Sequence, residues 1–244
     1  MKTTVLLFDF FGTLVEYVSD RNLIEYLSSH SFLLENLSAE GAAFYGRGDI
    51  GYEEYCNAWS NAFLAFESER NEGREFLMRD VARRCCDLLG IALTDPSNDN
   101  MTDQLVGAYM ADWSKSVRLM TGAHGLLTRL SKHYRLGLIS NTHHAETVYR
   151  LLETFGLRSL FEVVILSAEW GYPKPHVSIF DATLKRMSIS AGDAVYIGNS
   201  FDADYRGGQN IGMPCYLVGR HARVPRDRQL RNIQDLAIYF DTSA

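Results

Sequence analysis

The chain has 244 residues, 46% apolar and 22% charged, with a formal net charge of −6. That length buries one large core, or one core and a smaller satellite domain. The acidic balance argues against general nucleic-acid binding, and no run approaches the roughly 20 apolar residues of a bilayer crossing. The first residues lack a secretory pattern. Cys56, Cys85, Cys86 and Cys215 show no metal-ligand spacing, which predicts reduced, buried thiols in a cytoplasmic protein.

In chain order, Val5–Phe8 is a short apolar run ending at Asp9, the pattern of a buried strand. From about residue 16 to 115 the character changes. Leu23–Leu37, Tyr52–Phe66, Glu72–Leu89 and Thr102–Trp113 carry apolar residues at helical spacing, with Gly90 a stop for the third and the polar stretch 94–100 a connector. Phe44, Tyr45, Tyr52, Tyr55, Trp59, Phe63 and Phe66 are expected to supply that block's core, with substrate selection by some of them a second reading. Strands are then predicted at Leu136–Ile139, Val163–Leu166, Ala194–Ile197 and Cys215–Val218. Helices lie between them at Thr142–Phe155, capped by Thr142 and ended by Gly156, and at Val177–Met187. Alternating strands and helices imply βαβ units, a parallel sheet and a three-layer α/β domain. The basic run Arg220, His221, Arg223, Arg226, Arg228 and Arg231 reads first as a solvated stretch, and second as a contact to an anionic substrate or partner.

Four stretches sit at or just past strand ends, where open α/β sheets meet their ligands. They are Asp9–Leu14, Ile139–Thr142, Gly171–Pro175 and Ile197–Asp204. Parallel strands gather these ends on one rim. There an aspartate, a hydroxyl at a helix start, a lysine held between prolines and a late acidic loop can attack an electrophile, bind an anion, neutralise charge and hold a divalent cation. His143 and His144, one turn beyond Ser140, read first as a surface pair at a helix start, and second as a contact to a substrate phosphate.

With these four stretches in this order, the whole chain resembles the haloacid dehalogenase (HAD) superfamily of aspartate-nucleophile hydrolases. The resemblance implies a Rossmann-like core of residues 1–15 and 116–244, with residues 16–115 as a helical (type 1) cap. It implies Asp9 as nucleophile, Thr13 supporting its loop, Ser140 and the Asn141 backbone binding the transferred group, and Lys174 neutralising charge. Mg²⁺ would be held by Asp9, the Phe11 carbonyl, Asn199 and Asp204, with Asp202 a solvated or helix-capping spare.

Two departures stand out. The family's phosphatases carry a second aspartate where this chain has Phe11, and an acid where it has Asn199. Without that acid, worth roughly 10²–10⁴-fold as a proton donor, good leaving groups such as acyl or aryl phosphates are favoured. The expected function is therefore Mg²⁺-dependent hydrolysis of a small phosphorylated metabolite through a covalent Asp9 intermediate. A 2-haloacid dehalogenase reaction is the alternative, although Phe180 and Phe201 stand where those enzymes have Tyr and Asn. A HAD-fold protein that binds without turnover is the third reading. Small-molecule substrates, no nucleic acid and no membrane are expected, with oligomeric state left open.

Overall fold

The computed structural model describes residues 4–18, 29–31, 33–34, 50–68, 73–91 and 99–240. The chain divides into two compact units, Met1–Val18 with Val117–Ala244, and Ser19–Ser116.

The first unit is a Rossmann-like α/β fold on a six-stranded sheet, β1 (Val5–Phe8), β4 (Arg135–Ser140), β5 (Val163–Leu166), β6 (Ala194–Gly198), β7 (Cys215–Val218) and β8 (Gln229–Leu230). All neighbours are parallel, in the order β5-β4-β1-β6-β7-β8. Both faces of a central parallel strand are covered, so it carries no polar alternation. Accordingly Val5, Leu6, Leu7 and Phe8 are all fully buried. The connections turn to opposite sides at β1, which makes its carboxyl end the topological switch point, where a crevice opens for ligands. Asp9 is the first residue beyond it.

A separate antiparallel pair, β2 (Val15–Tyr17) with β3 (Val117–Leu119), joins Tyr17 to Val117 across the two points where the helical segment enters and leaves. The helix predicted from Thr142 begins instead at Ala145 and runs to Thr154. Thr142 does not cap it, because its hydroxyl accepts from the His144 N–H and its own N–H is bound by Ser167. The helix Val177–Met187 has the predicted bounds.

The second unit contains the helices Tyr52–Ser68, Met78–Leu88 and Asp99–Ser114. The helix expected from Glu72 starts at Met78, where the Asp80 carboxylate accepts from the Leu77 N–H and satisfies a donor at the helix start. Asp99 and Asn100, expected in a connector, open the third helix. Most of Leu23–Leu37, together with Phe44, Tyr45 and residues 94–98, lies outside the described residues. Tyr55, Trp59, Val81, Cys85, Cys86 and Leu105 form an apolar core, with the Trp59 ring stacked on Tyr109 at 4.1 Å. All four cysteines are free thiols, Cys56 half-buried and the others buried. Among the described residues no helix is long and apolar enough to cross a membrane.

Candidate active site

Asp9 continues the β1–β6 ladder, its N–H donating to the Ile197 carbonyl at 2.9 Å, and the chain then turns sharply through Gly12 at φ +79°. A side chain at Gly12 would be strained there, and its Cβ would lie 2.3 Å from the Asn199 amide. Gly198 is constrained in the same way, because a Cβ there would lie 2.4 Å from the Asp204 carboxyl carbon. Gly12 thus lets the turn after β1 approach the Asn199 side chain, while Gly198 lets Asp204 fold back onto the end of its own strand.

The Asp9 carboxylate is 6% exposed and held at both oxygens. Lys174 Nζ donates to Oδ1 at 2.7 Å and the Thr13 hydroxyl donates to Oδ2 at 2.9 Å. Lys174, itself 4% exposed, also donates to Asp204 Oδ1 at 2.7 Å and to the Tyr196 hydroxyl at 2.9 Å, which uses all three ammonium protons. Asp204 Oδ2 accepts from the Ser200 N–H at 2.8 Å. Asp202 stays outside this cluster, exposed and paired with Arg206.

Two carboxylates share one ammonium, so the buried cluster carries an uncompensated negative charge when all three are ionised. Burial drives the Asp9 carboxyl up to about 6; Lys174 works against this rise and the neighbouring Asp204 charge adds to it. Burial pulls Lys174 down, but Asp204 and Asp9 together outweigh it and the lysine stays an ammonium. Tyr196 is pushed well up, first by burial and then by the two carboxylates, and stays a neutral phenol.

Lys174 is positioned from outside the cluster. The Asn141 side-chain amide accepts from the Lys174 N–H at 2.7 Å and donates to the Lys174 carbonyl at 3.0 Å. Ser167, the first residue past β5, donates to the Thr142 carbonyl and accepts from its N–H, tying the Ser140–Thr142 stretch to the neighbouring strand end. Ser140 is fully buried, with its hydroxyl turned to the Asn141 carbonyl at 3.3 Å. His144 Nδ1 lies 2.8 Å from the Thr147 hydroxyl at the helix start.

Sequence reasoning passed over Tyr196 and Ser167. A hydroxyl inside the apolar run of β6, two residues before Gly198, was a signal for the first. A serine at a strand's carboxyl end was a signal for the second. Phe11 is half-buried, its ring edge-on to Phe10 at 4.9 Å and stacked parallel on Tyr17 at 6.1 Å. An aromatic ring, not an acid, therefore stands two residues from Asp9.

One terminal atom of the Asn199 amide lies 3.2 Å from Asp9 Oδ2 and 3.1 Å from the Phe11 carbonyl oxygen. With nitrogen at that position the amide donates to both oxygens. With oxygen there, it faces the two oxygens with the Thr13 hydroxyl 3.4 Å away as a weak donor, an arrangement that a cation would complete. Adjacent ligands of an octahedral ion with bonds of about 2.1 Å sit roughly 3 Å apart, so these residues fit Mg²⁺. The Asp204 oxygens, like those of Asp9, each accept a hydrogen bond, from Lys174 and from the Ser200 N–H. Among the described residues no group of three His, Cys, Asp or Glu side chains is placed to hold a metal ion; this donor set contains an amide and a carbonyl instead.

A Rossmann-like sheet with a lysine-bound aspartate at its switch point defines a class of α/β enzymes. Comparison with known proteins narrows it. The family profile described as haloacid dehalogenase-like hydrolase matches residues 82–218, more than half of the chain. This chain belongs to that family, the HAD superfamily. It is 34% identical over 119 residues to the glyceraldehyde 3-phosphate phosphatase of Methanothermobacter thermautotrophicus, a match covering 48% of this chain and 52% of the relative. It is 27% identical over 208 residues to the haloacid dehalogenase-like hydrolase domain-containing protein 3 of Mus musculus, covering 84% of this chain and 75% of that protein. The chain thus spans about half the length of the first of these relatives. Among solved structures, the 2-haloacid dehalogenase of Pseudomonas syringae pv. Tomato superposes with a TM-score of 0.67 at 19% identity over 97% of each chain. That likeness is one of fold.

Proposed function

We propose that this chain is a hydrolase that cleaves small phosphorylated metabolites with good leaving groups, through a covalent intermediate on Asp9 and with Mg²⁺. The observation that carries the reading is the pairing of Lys174 with both Asp9 and Asp204, beside an Asn199 amide that lies 3.2 Å from Asp9 Oδ2 and 3.1 Å from the Phe11 carbonyl oxygen. Relatives named as phosphatases support the choice of phosphate.

In this reading Asp9, ionised and oriented by Lys174 and Thr13, attacks phosphorus. A carboxylate-oxygen–phosphorus bond forms, the bond to the leaving oxygen breaks, and the electron pair departs with the leaving group. Water then hydrolyses the aspartyl phosphate, releasing phosphate and restoring the carboxylate. Lys174 offsets the charge on Asp9, and the Ser140–Thr142 stretch receives the transferred group. Mg²⁺ held by Asp9, the Phe11 carbonyl and Asn199 would neutralise charge on the phosphoryl oxygens. Asp204, hydrogen-bonded to Lys174 beside them, would complete that set. The ring at Phe11 cannot protonate a leaving alkoxide, so acyl and aryl phosphates outrun alkyl monoesters. The helical unit Ser19–Ser116, inserted between β2 and β3, is the cap that selects substrates.

Phe11 also favours a second reading, displacement of halide from a 2-halo acid, since halide leaves without a proton. Phosphate release from acetyl phosphate with Mg²⁺, set against chloride release from 2-chloropropionate with EDTA, separates the two. The first is expected; halide release alone overturns it. Asp9→Asn should lower either activity by more than about 10³-fold, and unchanged turnover would remove the covalent step.

A further inference from the structure

The basic run left unexplained by the catalytic cluster is exposed at Arg220, Arg223 and Arg226, as its first reading has it, but it belongs to a braced loop. Past β7 the chain forms an open cavity of about 510 Å³ lined by Arg220, His221, Val224, Arg226 and Gln229, among others. Gln229 braces the loop from inside. Its side-chain amide donates to the His221 and Val224 carbonyls and accepts from the His221 N–H. Val224 is buried beneath. His221 Nδ1 accepts from the Arg223 N–H at 3.3 Å, so a neutral ring carries its proton on Nε2 and is a donor.

The arginines of the run divide into two sets. Arg228 pairs with Asp227 and Arg231 with Asp235, while Arg223 lies over the Phe201 ring at 4.4 Å. Arg220 and Arg226 both line the cavity, and among the described residues neither forms an ion pair. In a protein of net charge −6, two free guanidiniums and a braced imidazole around one cavity form a local anion trap.

The cavity belongs to the catalytic rim. Phe8 pairs with Ile197, and Ile197 with Tyr216, so Asp9, Gly198 and Leu217 lie at one level of the sheet. Arg220 leaves β7 three residues above that level and two strands from Asp9, about 10 Å across the sheet at the usual strand spacing. The two regions touch, since the His221 ring stacks on Phe201 at 3.9 Å and 9°, within the turn that follows Asn199 and Ser200.

We propose that the Arg220–His221–Arg226 cavity binds a second anionic group, phosphoryl or carboxylate, at the far end of a substrate whose reacting phosphate sits at Asp9. The substrate class is then a small phosphorylated metabolite with two anionic ends. This rests on the phosphohydrolase reading above.

The test compares phenyl phosphate, 4-carboxyphenyl phosphate and 1,4-phenylene bisphosphate, which share a leaving-group type and differ at the far end. The two-ended substrates should have kcat/KM about 10–100-fold above phenyl phosphate, the value of one to two charge-assisted hydrogen bonds. That ratio should collapse towards one in Arg220→Ala and Arg226→Ala. A ratio of one in the parent protein, or one that survives both substitutions, overturns the proposal. Selectivity confined to carboxylate or to phosphate identifies which anion the cavity takes and upholds it.

Calorimetric titration of the metal-free protein with 1,4-phenylene bisphosphate separates failure of the subsite from failure of the phosphohydrolase reading. Binding that weakens at least tenfold in the double variant, in a protein that turns over none of the three esters, upholds the anion site and removes the catalytic reading. Equal affinity in parent and variant removes the anion site.

Discussion

The two units bury different things. The helical unit closes on aromatic and aliphatic side chains, with Trp59, Tyr55, Val81 and Leu105 at its centre. The α/β unit has an equally apolar sheet, yet at the rim of that sheet it also buries Asp9, Lys174, Asp204 and Tyr196 together. Apolar burial is stabilising wherever it occurs, at roughly 25 cal/mol per Å². Burial of like charges around one ammonium is costly unless every donor is used. The contrast shows where the molecule accepts a cost in stability for chemistry, namely in the unit with the switch point.

The largest expected effect tests the proton-donor gap at that rim. Phe11→Asp should raise turnover of alkyl phosphates by about 10²–10⁴-fold while changing acyl phosphates little. Steady-state kinetics on one ester of each type checks it, and no gain in a folded variant would mean that position 11 serves another chemistry.

Next, Lys174→Met and Trp59→Ala should each destabilise by about 3–5 kcal/mol, the first by stranding buried carboxylates and the second by opening a cavity. Their pH dependence should separate them. The Lys174→Met loss should shrink as pH falls and Asp9 takes up a proton, whereas the Trp59→Ala loss should stay flat. Urea unfolding at pH 5 and pH 8 reads both, and parallel behaviour would erase the distinction between the two cores.

A smaller effect concerns Asp9 itself. Its carboxyl titrates near 6 in the fold and at 3.8 when unperturbed. The folded protein therefore holds the proton more tightly, and ionisation of Asp9 costs stability that builds from pH 3.8 upward and is complete above about pH 6. With EDTA present, Asp9→Asn should stabilise by about 1–3 kcal/mol at pH 8, a gain that fades as pH falls towards 3.8. A gain that instead grew at low pH would reverse the sign of the shift.

The smallest change is Tyr196→Phe, which removes the acceptor for one Lys174 proton and should cost about 1 kcal/mol with a measurable fall in kcat. Stability and kinetics identical to the parent protein would mean that the lysine needs no third partner.

How much of this was legible in the residues follows from range. The strands Val5–Phe8, Val163–Leu166 and Cys215–Val218 were readable because a doubly covered strand is an unbroken apolar run, and so was the convergence of Asp9, Lys174 and Asp204, because parallel strands align their ends. The pair β2 and β3 was not, since three residues each are too short for a period to show. Thr142 has the right chemistry for a helix cap, but Ser167, 25 residues away, claims its backbone first. Asn141 was expected to act through its backbone, and nothing local shows that its amide reaches Lys174, 33 residues on. The glycines were visible as turns at Gly90 and Gly156, both with positive φ, while the need for Gly12 depends on Asn199 across the rim.

The Asn141 clamp has one more consequence. By gripping both the N–H and the carbonyl of Lys174, it fixes the height of the ammonium independently of the peptide leading up to it. Gly171 and Tyr172 lead into the lysine, the first with its N–H on the Ser167 carbonyl at 2.7 Å and the second stacked on His176 at 4.4 Å. A circularly permuted chain opened between those two residues should keep the Asp9–Lys174–Asp204 geometry, provided Asn141 is left in place.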